Sequence, residues 1–108
     1  MITSERLGLL GLGLRAGHVV VGTSAVRDAL RRDELTLVII AQDRSGRTDD
    51  KVTRLARARG IPVLDGPPAD ELGRRLGRDS VQTAGVKDRN LAAGLRGQTA
   101  AQDIQEDE

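Results

Sequence analysis

The sequence contains no phenylalanine, tryptophan, tyrosine or cysteine, and each absence removes a class of function. Without aromatic rings the chain cannot build the stacking platform on which many single-strand nucleic-acid binders hold bases. Without cysteine it has no disulfide framework, no thiolate nucleophile and no sulfur ligand for a metal. The core must therefore be built from Leu, Val, Ile and Ala side chains.

Long hydrophobic runs are also missing, since none approaches the roughly 20 residues that a membrane-spanning helix needs. The N-terminus lacks the charged, apolar and cleavage-site pattern of an export signal. A chain of 108 residues is long enough for one domain with one modest core, which we assign to residues 1–97. We therefore expect a single-domain cytoplasmic protein that acts as a monomer.

The charges are distributed unevenly along the chain, although the net charge is only +1. Residues 98–108 contain four acidic residues and no basic one, so the rest of the chain carries a net charge of +5. A basic body favours a polyanionic partner, but the basic residues are mostly arginine, which genome composition alone can produce. The segment 98–108 is too polar to order itself, and we expect it to be a disordered tail that competes weakly with polyanions for the basic body.

Hydrophobic patterning predicts alternating strands and helices. Short, wholly apolar strands are typical of a sheet that helices cover on both faces. The turn and capping signals agree with these elements, because acidic residues favour helix starts and basic residues favour helix ends. Acidic residues follow two of the predicted helix starts, and arginines precede the end of one predicted helix. The predicted strands are 19–21, 37–41, 61–64 and 81–86. The first predicted helix begins near Ser4 and ends near Gly17, and the other predicted helices are 23–32, 48–59, 68–76 and 88–95.

Few residues suggest catalysis. The segment from Gly11 to Ala16 has the letters of a dinucleotide-binding fingerprint, but a helix precedes it where that motif needs a strand. His18 is the only histidine and has no partner for a metal site or a catalytic pair. Asp43 is explained by the turn after its strand. We expect a protein that is not an enzyme and needs no cofactor or metal.

The junction between the first strand and the next helix is the most informative feature of the sequence. Val19 to Val21 lead directly into Gly22 and Thr23, and we expect Thr23 to cap the helix that follows. The first N–H groups of such a helix face outward at the end of a strand, where they can hold an anion or a phosphate. The sequence therefore predicts a phosphate-binding site at this helix start.

Basic side chains fall on faces near that junction. We expect helix 23–32 to turn one set of residues inward, namely Ala25, Val26, Ala29 and Leu30. The outward set is Ser24, Arg27, Asp28 and Arg31. Lys51 lies on the exposed face of helix 48–59, and Arg78 with Ser80 lies in the loop before the last strand. Loops at one end of a sheet lie close together, so these cations can surround the helix start. The alternative is that they belong to ordinary solvent-exposed helix faces, which would carry as many charges but would not bring them together.

The order of these segments resembles a known family. The run RAGHVVVG, a helix, LVIIAQDRSGRTDDKV, GIPVL and ELGRRLGRD are similar to the bacterial YlxQ-type proteins, over about residues 7–95. These belong to the ribosomal protein L7Ae/L30e superfamily, which binds kink-turns in RNA. The resemblance implies a three-layer α/β/α sandwich with a mixed four-stranded sheet, and RNA contact through the first strand-to-helix junction and the loop before the last strand.

Carried over to this sequence, the RNA site of the family is only partly retained. Strong binders follow the Gly-Thr pair with Asn and Glu, which read the G·A pairs of a kink-turn, whereas this chain has Ser24 and Ala25. Asp28 stands where the family usually has Lys, so attraction to phosphate becomes repulsion there. The resemblance places the site at Gly22, Thr23, Ser24, Ala25 and Asp28, facing Arg78, Asp79, Ser80 and Val81, and flanking charge comes from Arg27, Arg31 and Lys51.

Two functions follow from these residues. The first is a non-enzymatic RNA-binding protein, associated with the ribosome or with translation, that contacts the RNA backbone and reads kink-turn bases weakly. The alternative is a protein-interaction adaptor on the same scaffold that has lost specific RNA binding and docks a ribosomal or transcription component. The adaptor predicts a large exposed apolar patch near the first helix.

Overall fold

A computed structural model describes Ile2 and residues 4–97 of the chain, and the predicted disordered tail, residues 98–108, lies outside the described residues. None of the described helices has the length and apolarity that a membrane span requires. The strands are β1 (Val19–Val21), β2 (Leu37–Ile40), β3 (Val63–Asp65) and β4 (Thr83–Val86). The helices are α1 (Ser4–Arg15), α2 (Thr23–Arg31), α3 (Gly46–Thr48), α4 (Arg54–Ala58), α5 (Ala69–Arg75) and α6 (Arg89–Leu95), with a π-helical segment (Asp49–Thr53) joining α3 to α4.

The four strands form one mixed sheet in the order β1-β4-β2-β3. β2 and β3 are parallel, with Val38 opposite Val63. β4 is antiparallel to both of its neighbours, so that Val86 lies between Val19 of β1 and Leu37 of β2. β1, β2 and β3 therefore run in one direction and β4 in the other, which confirms the predicted mixed four-stranded sheet.

Helices cover both faces of the sheet and form the predicted three-layer sandwich. On one face, α1, α5 and α6 bury a cluster of side chains that includes Leu7, Leu72 and Leu95 against Ile39. On the other, α2 and α4 bury a second cluster around Val26. Residues of β2 alternate between these two clusters, because successive side chains of a strand point to opposite faces of the sheet. The core consists of aliphatic side chains, as the composition predicts.

Several predicted boundaries differ from the structure. β3 and β4 each begin two residues later than the patterns at Ile61 and Val81 suggest, because those apolar residues pack in the core from loop positions. The predicted inward position of Ala25 is wrong, since this residue is exposed. α2 has only nine residues, and its buried stripe consists of Val26, Ala29 and Leu30.

The helix after β2 starts earlier than predicted, and its centre is not α-helical. Ser45 caps α3 by accepting a hydrogen bond of 3.1 Å from the Thr48 N–H at its Oγ, so the prediction that the helix begins at Thr48 is wrong. Asp49 and Asp50 then open a π-helical turn, where one extra residue per turn is accommodated. Thr48 and Thr53 are buried within this helix.

Candidate functional site

Four chain segments meet at one edge of the sheet, which we call the Gly22 edge. The directions of the strands place the carboxyl ends of β1, β2 and β3 there, together with the amino end of β4. The segments are residues 22–24 after β1, 41–45 after β2, 66–68 after β3 and 78–82 before β4. The predicted junction after β1 and the predicted loop before β4 are therefore adjacent.

Gly22 connects β1 to α2 in a backbone conformation that side chains disfavour, with φ of 101° and ψ of 151°. Its N–H donates a hydrogen bond of 2.9 Å to the Thr83 carbonyl, which attaches the start of α2 to the start of β4. Gly22 occupies the N-cap position and has no side chain that could cap the first turn of α2, so the prediction that Thr23 caps this helix is wrong. Donors of this first turn therefore have no capping side chain and face the Gly22 edge.

The loop before β4 is held firmly to its neighbours. The Arg78 N–H donates a hydrogen bond of 2.8 Å to the Gly73 carbonyl, and the Val81 N–H donates one of 3.0 Å to the Ala69 carbonyl. The side chain of Val81 is only 5% exposed and packs in the core, so this residue offers a ligand its backbone alone. Arg78, Asp79 and Ser80 are exposed.

Gln82 joins this loop to the loop after β2. Its backbone carbonyl accepts a hydrogen bond of 2.8 Å from the Ala41 N–H, and its side-chain oxygen accepts one of 3.0 Å from the Ser45 N–H. Sequence reasoning missed both Gln82 and Ser45. A serine three residues before the predicted helix start was the available signal for the cap, whereas no neighbouring residue indicates the long-range contact of Gln82.

Lys51 and Arg78 are the cations that best fit the predicted convergence. Lys51 lies in the π segment, which follows α3 from the Gly22 edge and packs against α2. Arg78 lies in the loop before β4, and the first residue of β4, Thr83, accepts the hydrogen bond from the Gly22 N–H. Both side chains are exposed, and among the described residues neither forms an ion pair. They therefore leave two positive charges available to an anionic ligand.

The cations of α2 are placed differently. Arg31 lies nine residues beyond Gly22, or roughly 13 Å along the helix axis, so the structure does not bring it to the Gly22 edge. Its Nη1 instead pairs with Asp28 Oδ1 at 3.5 Å, which offsets the negative charge of Asp28. Arg27 is half-buried, and its Nε is a buried donor without a partner in the described part of the chain.

Arg44 forms an ion-pair network that the sequence did not reveal. Its Nη2 lies 3.0 Å from Asp49 Oδ1, and its Nη1 lies 3.2 Å from Asp65 Oδ1. The hydrogen bond that Asp49 accepts from the Thr53 hydroxyl, together with the hydrogen bond and charge of Arg44, holds the pKa of Asp49 below its ordinary value. Arg44 thus connects the segments after β2 and β3 and has its charge neutralised there.

Sequence comparison identifies the family to which this architecture belongs. A profile of the Ribosomal protein L7Ae/L30e/S12e/Gadd45 family matches residues 6–95. The chain is a member of this family. It is 32% identical over 91 residues to the RNA-binding protein YlxQ of Bacillus subtilis, covering 84% of this chain and 91% of that protein. It is 36% identical over 61 residues to the RNA-binding protein YbxF of Geobacillus stearothermophilus, covering 56% and 74%.

Solved structures agree with this membership in the L7Ae family. A protein of unknown function from Bacillus halodurans superposes with a TM-score of 0.82 at 30% identity, covering 88% of this chain and 96% of that one. The 15.5 kD RNA-binding protein of Giardia lamblia superposes with a TM-score of 0.70 over 88% and 85%. At 18% identity, the second similarity concerns the fold alone.

The remaining candidates of the sequence have structural explanations in this L7Ae-family fold. The segment from Gly11 to Ala16 lies within and just after α1, which is not the strand-to-helix turn of a dinucleotide site. His18 is exposed, and its backbone joins α1 to β1 and accepts a hydrogen bond from the Lys87 N–H. Asp43 accepts a hydrogen bond of 2.8 Å from the Ala69 N–H, so its carboxylate caps α5.

The apolar patch that the adaptor hypothesis predicts is not found in the described part of the chain. Leu12 of α1, at 59% exposure, is the one large hydrophobic residue there that is exposed. A single exposed leucine is ordinary for a globular surface. The Gly22 edge, with its exposed donors and cations, is therefore the more distinctive surface.

Proposed function

We propose that this protein binds structured RNA through the Gly22 edge, with contacts mainly to the phosphate backbone. The observation that carries the proposal is the meeting of an uncapped helix start at Gly22 with Lys51 and Arg78. Backbone N–H groups at a helix start and nearby cations are the chemistry that phosphates require. The names of two relatives, the RNA-binding proteins YlxQ and YbxF, support the same conclusion.

The target we propose is a kink-turn-like or ribosomal RNA, with weak readout of bases. Ser24 keeps one hydroxyl that can donate or accept a hydrogen bond, whereas Ala25 has no polar group to offer a base. Both residues are exposed next to Gly22, where a docked RNA would meet them. Thr23, Arg27 and Ser80 complete the proposed surface, and Arg31 acts only through its pairing with Asp28.

An RNA titration with charge variants tests this proposal. We expect Lys51→Ala combined with Arg78→Ala to weaken binding of a standard kink-turn about five- to tenfold at low salt. Because each phosphate contact contributes roughly 0.7–0.9 to the salt dependence, the slope of log affinity against log salt falls by about 1.5. The measurement is fluorescence anisotropy or gel shift at several salt concentrations.

Matched controls make this titration specific. Arg32→Ala combined with Lys87→Ala also removes two exposed charges, from the end of α2 and the end of β4, and leaves the affinity within about twofold. A kink-turn with disrupted G·A pairs measures base readout, and equal affinity for both RNAs assigns binding to the backbone alone. Absence of binding to either RNA at low salt contradicts the proposed function.

Asp28 gives a second test, in which binding improves. We expect Asp28→Lys to raise the RNA affinity several-fold at low salt and to steepen the salt slope by about 1, since it adds a cation and frees Arg31. Glu34→Lys is the matched control, because Glu34 is exposed beyond the far end of α2. Equal gains from both substitutions mean that net charge, and not the Gly22 edge, controls the affinity.

A further inference from the structure

We propose that the acidic segment 98–108 docks in a groove at the edge of the sheet opposite the Gly22 edge. The groove has a volume of about 400 Å³. Its floor contains Leu35, which precedes β2, and Ile61 and Pro62, which precede β3. Because β2 and β3 run parallel to β1, the residues before them lie at the edge away from Gly22. This surface is separate from the proposed RNA site, and the proposal stands independently of it.

One face of α6 forms the opposite wall and supplies the charge. Arg89, Ala92 and Arg96 line the groove, at the spacing of three, four and seven residues that shares one helix face. Arg89 and Arg96 are exposed and lie roughly 10 Å apart along the helix axis. Neither forms an ion pair with a described residue, and no acidic residue lines the groove in the described part of the chain.

The nearby Arg59 differs from the two arginines of the groove, because it has an acidic partner. Arg59 precedes Gly60, which lines the groove, and its Nη1 pairs with Asp33 Oδ1 at 3.0 Å. Arg89 and Arg96, in contrast, flank an apolar floor, and no described residue pairs with their charges. The surface is therefore complementary to a peptide that presents an apolar side chain between acidic ones.

The chain itself contains such a peptide. Residues 98–108 contain no base, and Ile104 lies between Asp103 and Glu106. The segment starts two residues after Arg96, which lines the groove. The seven residues from Gly97 to Asp103 reach up to about 23 Å when extended, which is more than the separation of Arg96 and Arg89 along α6. Ile104 then fills the apolar floor, and the acidic residues face the two arginines.

Tethering makes this docking significant even though each contact is weak. Exposed ion pairs contribute little, and one isoleucine buries a small area, so the free peptide binds weakly. A short tether, however, supplies an effective concentration on the order of millimolar. The Gly22 edge also carries cations, but Lys51 and Arg78 flank backbone donors there rather than an apolar floor.

Paramagnetic broadening in the full chain tests the proposal without any RNA. The sequence has no cysteine, so Gln105→Cys gives a single site for a nitroxide label and leaves every charge of the segment in place. We expect the methyl signals of Ile61 and Ala93, which line the groove, to lose roughly half of their intensity at low salt. The methyl signal of Ala25, at the Gly22 edge, keeps its intensity.

Charge reversal then separates docking from chance proximity. Arg89→Glu with Arg96→Glu restores the Ile61 and Ala93 signals, and adding Asp103→Lys with Glu106→Lys to that chain brings the broadening back. Arg74→Glu with Arg75→Glu reverses two exposed charges of α5 that do not line the groove, and leaves the broadening unchanged. Broadening centred on Ala25, no broadening at any methyl group, or groove broadening that survives the Arg89 and Arg96 reversal would each overturn the proposal.

Discussion

Gly73→Ala is expected to lower the melting temperature by about 10 °C. A Cβ atom at this position would lie 2.8 Å from both the Cα and the N of Ser80, and 2.9 Å from the Arg78 carbonyl oxygen. Alanine favours a helix interior over glycine by about 0.5–1 kcal/mol, but forcing apart packed backbone costs about 3 kcal/mol. The net loss of about 2 kcal/mol corresponds to roughly 4–8 °C per kcal/mol in a domain of this size.

The loop before β4 explains why this contact cannot relax easily. Arg78 and Val81 are both hydrogen-bonded to α5 through their N–H groups, so the loop must move as a whole. Thermal unfolding followed by far-ultraviolet circular dichroism measures the effect. Gly8→Ala is the matched control, because it lies in α1 with no atom within 4 Å of the added Cβ, and it stabilises by about 0.5–1 kcal/mol. A similar melting temperature for both variants would contradict the steric argument.

Gly22→Ala is expected to destabilise the protein by about 1–3 kcal/mol, although the added methyl group meets no other atom. The cause is the backbone: φ of 101° with ψ of 151° lies in a region that only glycine adopts without strain. Relief of that strain must move the start of α2 away from the Thr83 carbonyl. We therefore also expect weaker RNA binding, measured by the same anisotropy titration.

Gly46→Ala provides the control for this substitution. Gly46 is the first residue of α3, has no atom within 4 Å of an added Cβ and does not adopt a positive φ. Its replacement leaves the midpoint of urea unfolding nearly unchanged. If Gly22→Ala unfolds at the same urea concentration as Gly46→Ala, the conformation at Gly22 is not required for the fold.

The sheet and its layers could be predicted because their signals are local. Leu37 to Ile40 form a short wholly apolar run, and helices of clear periodicity follow three of the strands. The starts of β3 and β4 were harder to predict, since Ile61 and Val81 are apolar because they pack in the core and not because they belong to a strand. Apolarity reports burial, whereas hydrogen bonding to a neighbour decides where a strand begins.

The helix starts show a related limit of sequence reasoning. The sequence predicts that Thr23 caps one helix and that the next begins at Thr48, but the caps are Gly22 and Ser45, one and three residues earlier. A threonine can cap a helix or sit inside its first turns, and only the backbone conformation separates the two roles. The π segment at Asp49–Thr53 has no sequence signature that could have been used.

The candidate site was predictable in its segments but not in its contacts. Gly22 and the loop at Arg78 were both expected at one edge, and the hydrogen bond from the Gly22 N–H to the Thr83 carbonyl joins Gly22 to the strand that follows this loop. The pairing of Arg31 with Asp28 and the half-buried position of Arg27 depend on side-chain directions that the sequence does not specify. Whether charged side chains come together depends on contacts between distant segments, which the spacing of residues in the sequence does not determine.

The central position of β4 also determines the order in which the protein can fold. Among the described strands β1 pairs only with β4, so Val19 can pair only after Val86 has been synthesised near the end of the described chain. Such pairing between distant segments is slow, because a long loop must lose conformational entropy on closing before the strands can form stabilising contacts. During synthesis, β2 and β3 can pair early, whereas Gly22 acquires its hydrogen-bond partner Thr83 only when the last strand arrives. The proposed RNA surface is therefore absent from nascent and partly folded chains, and only a chain whose sheet is complete can present it.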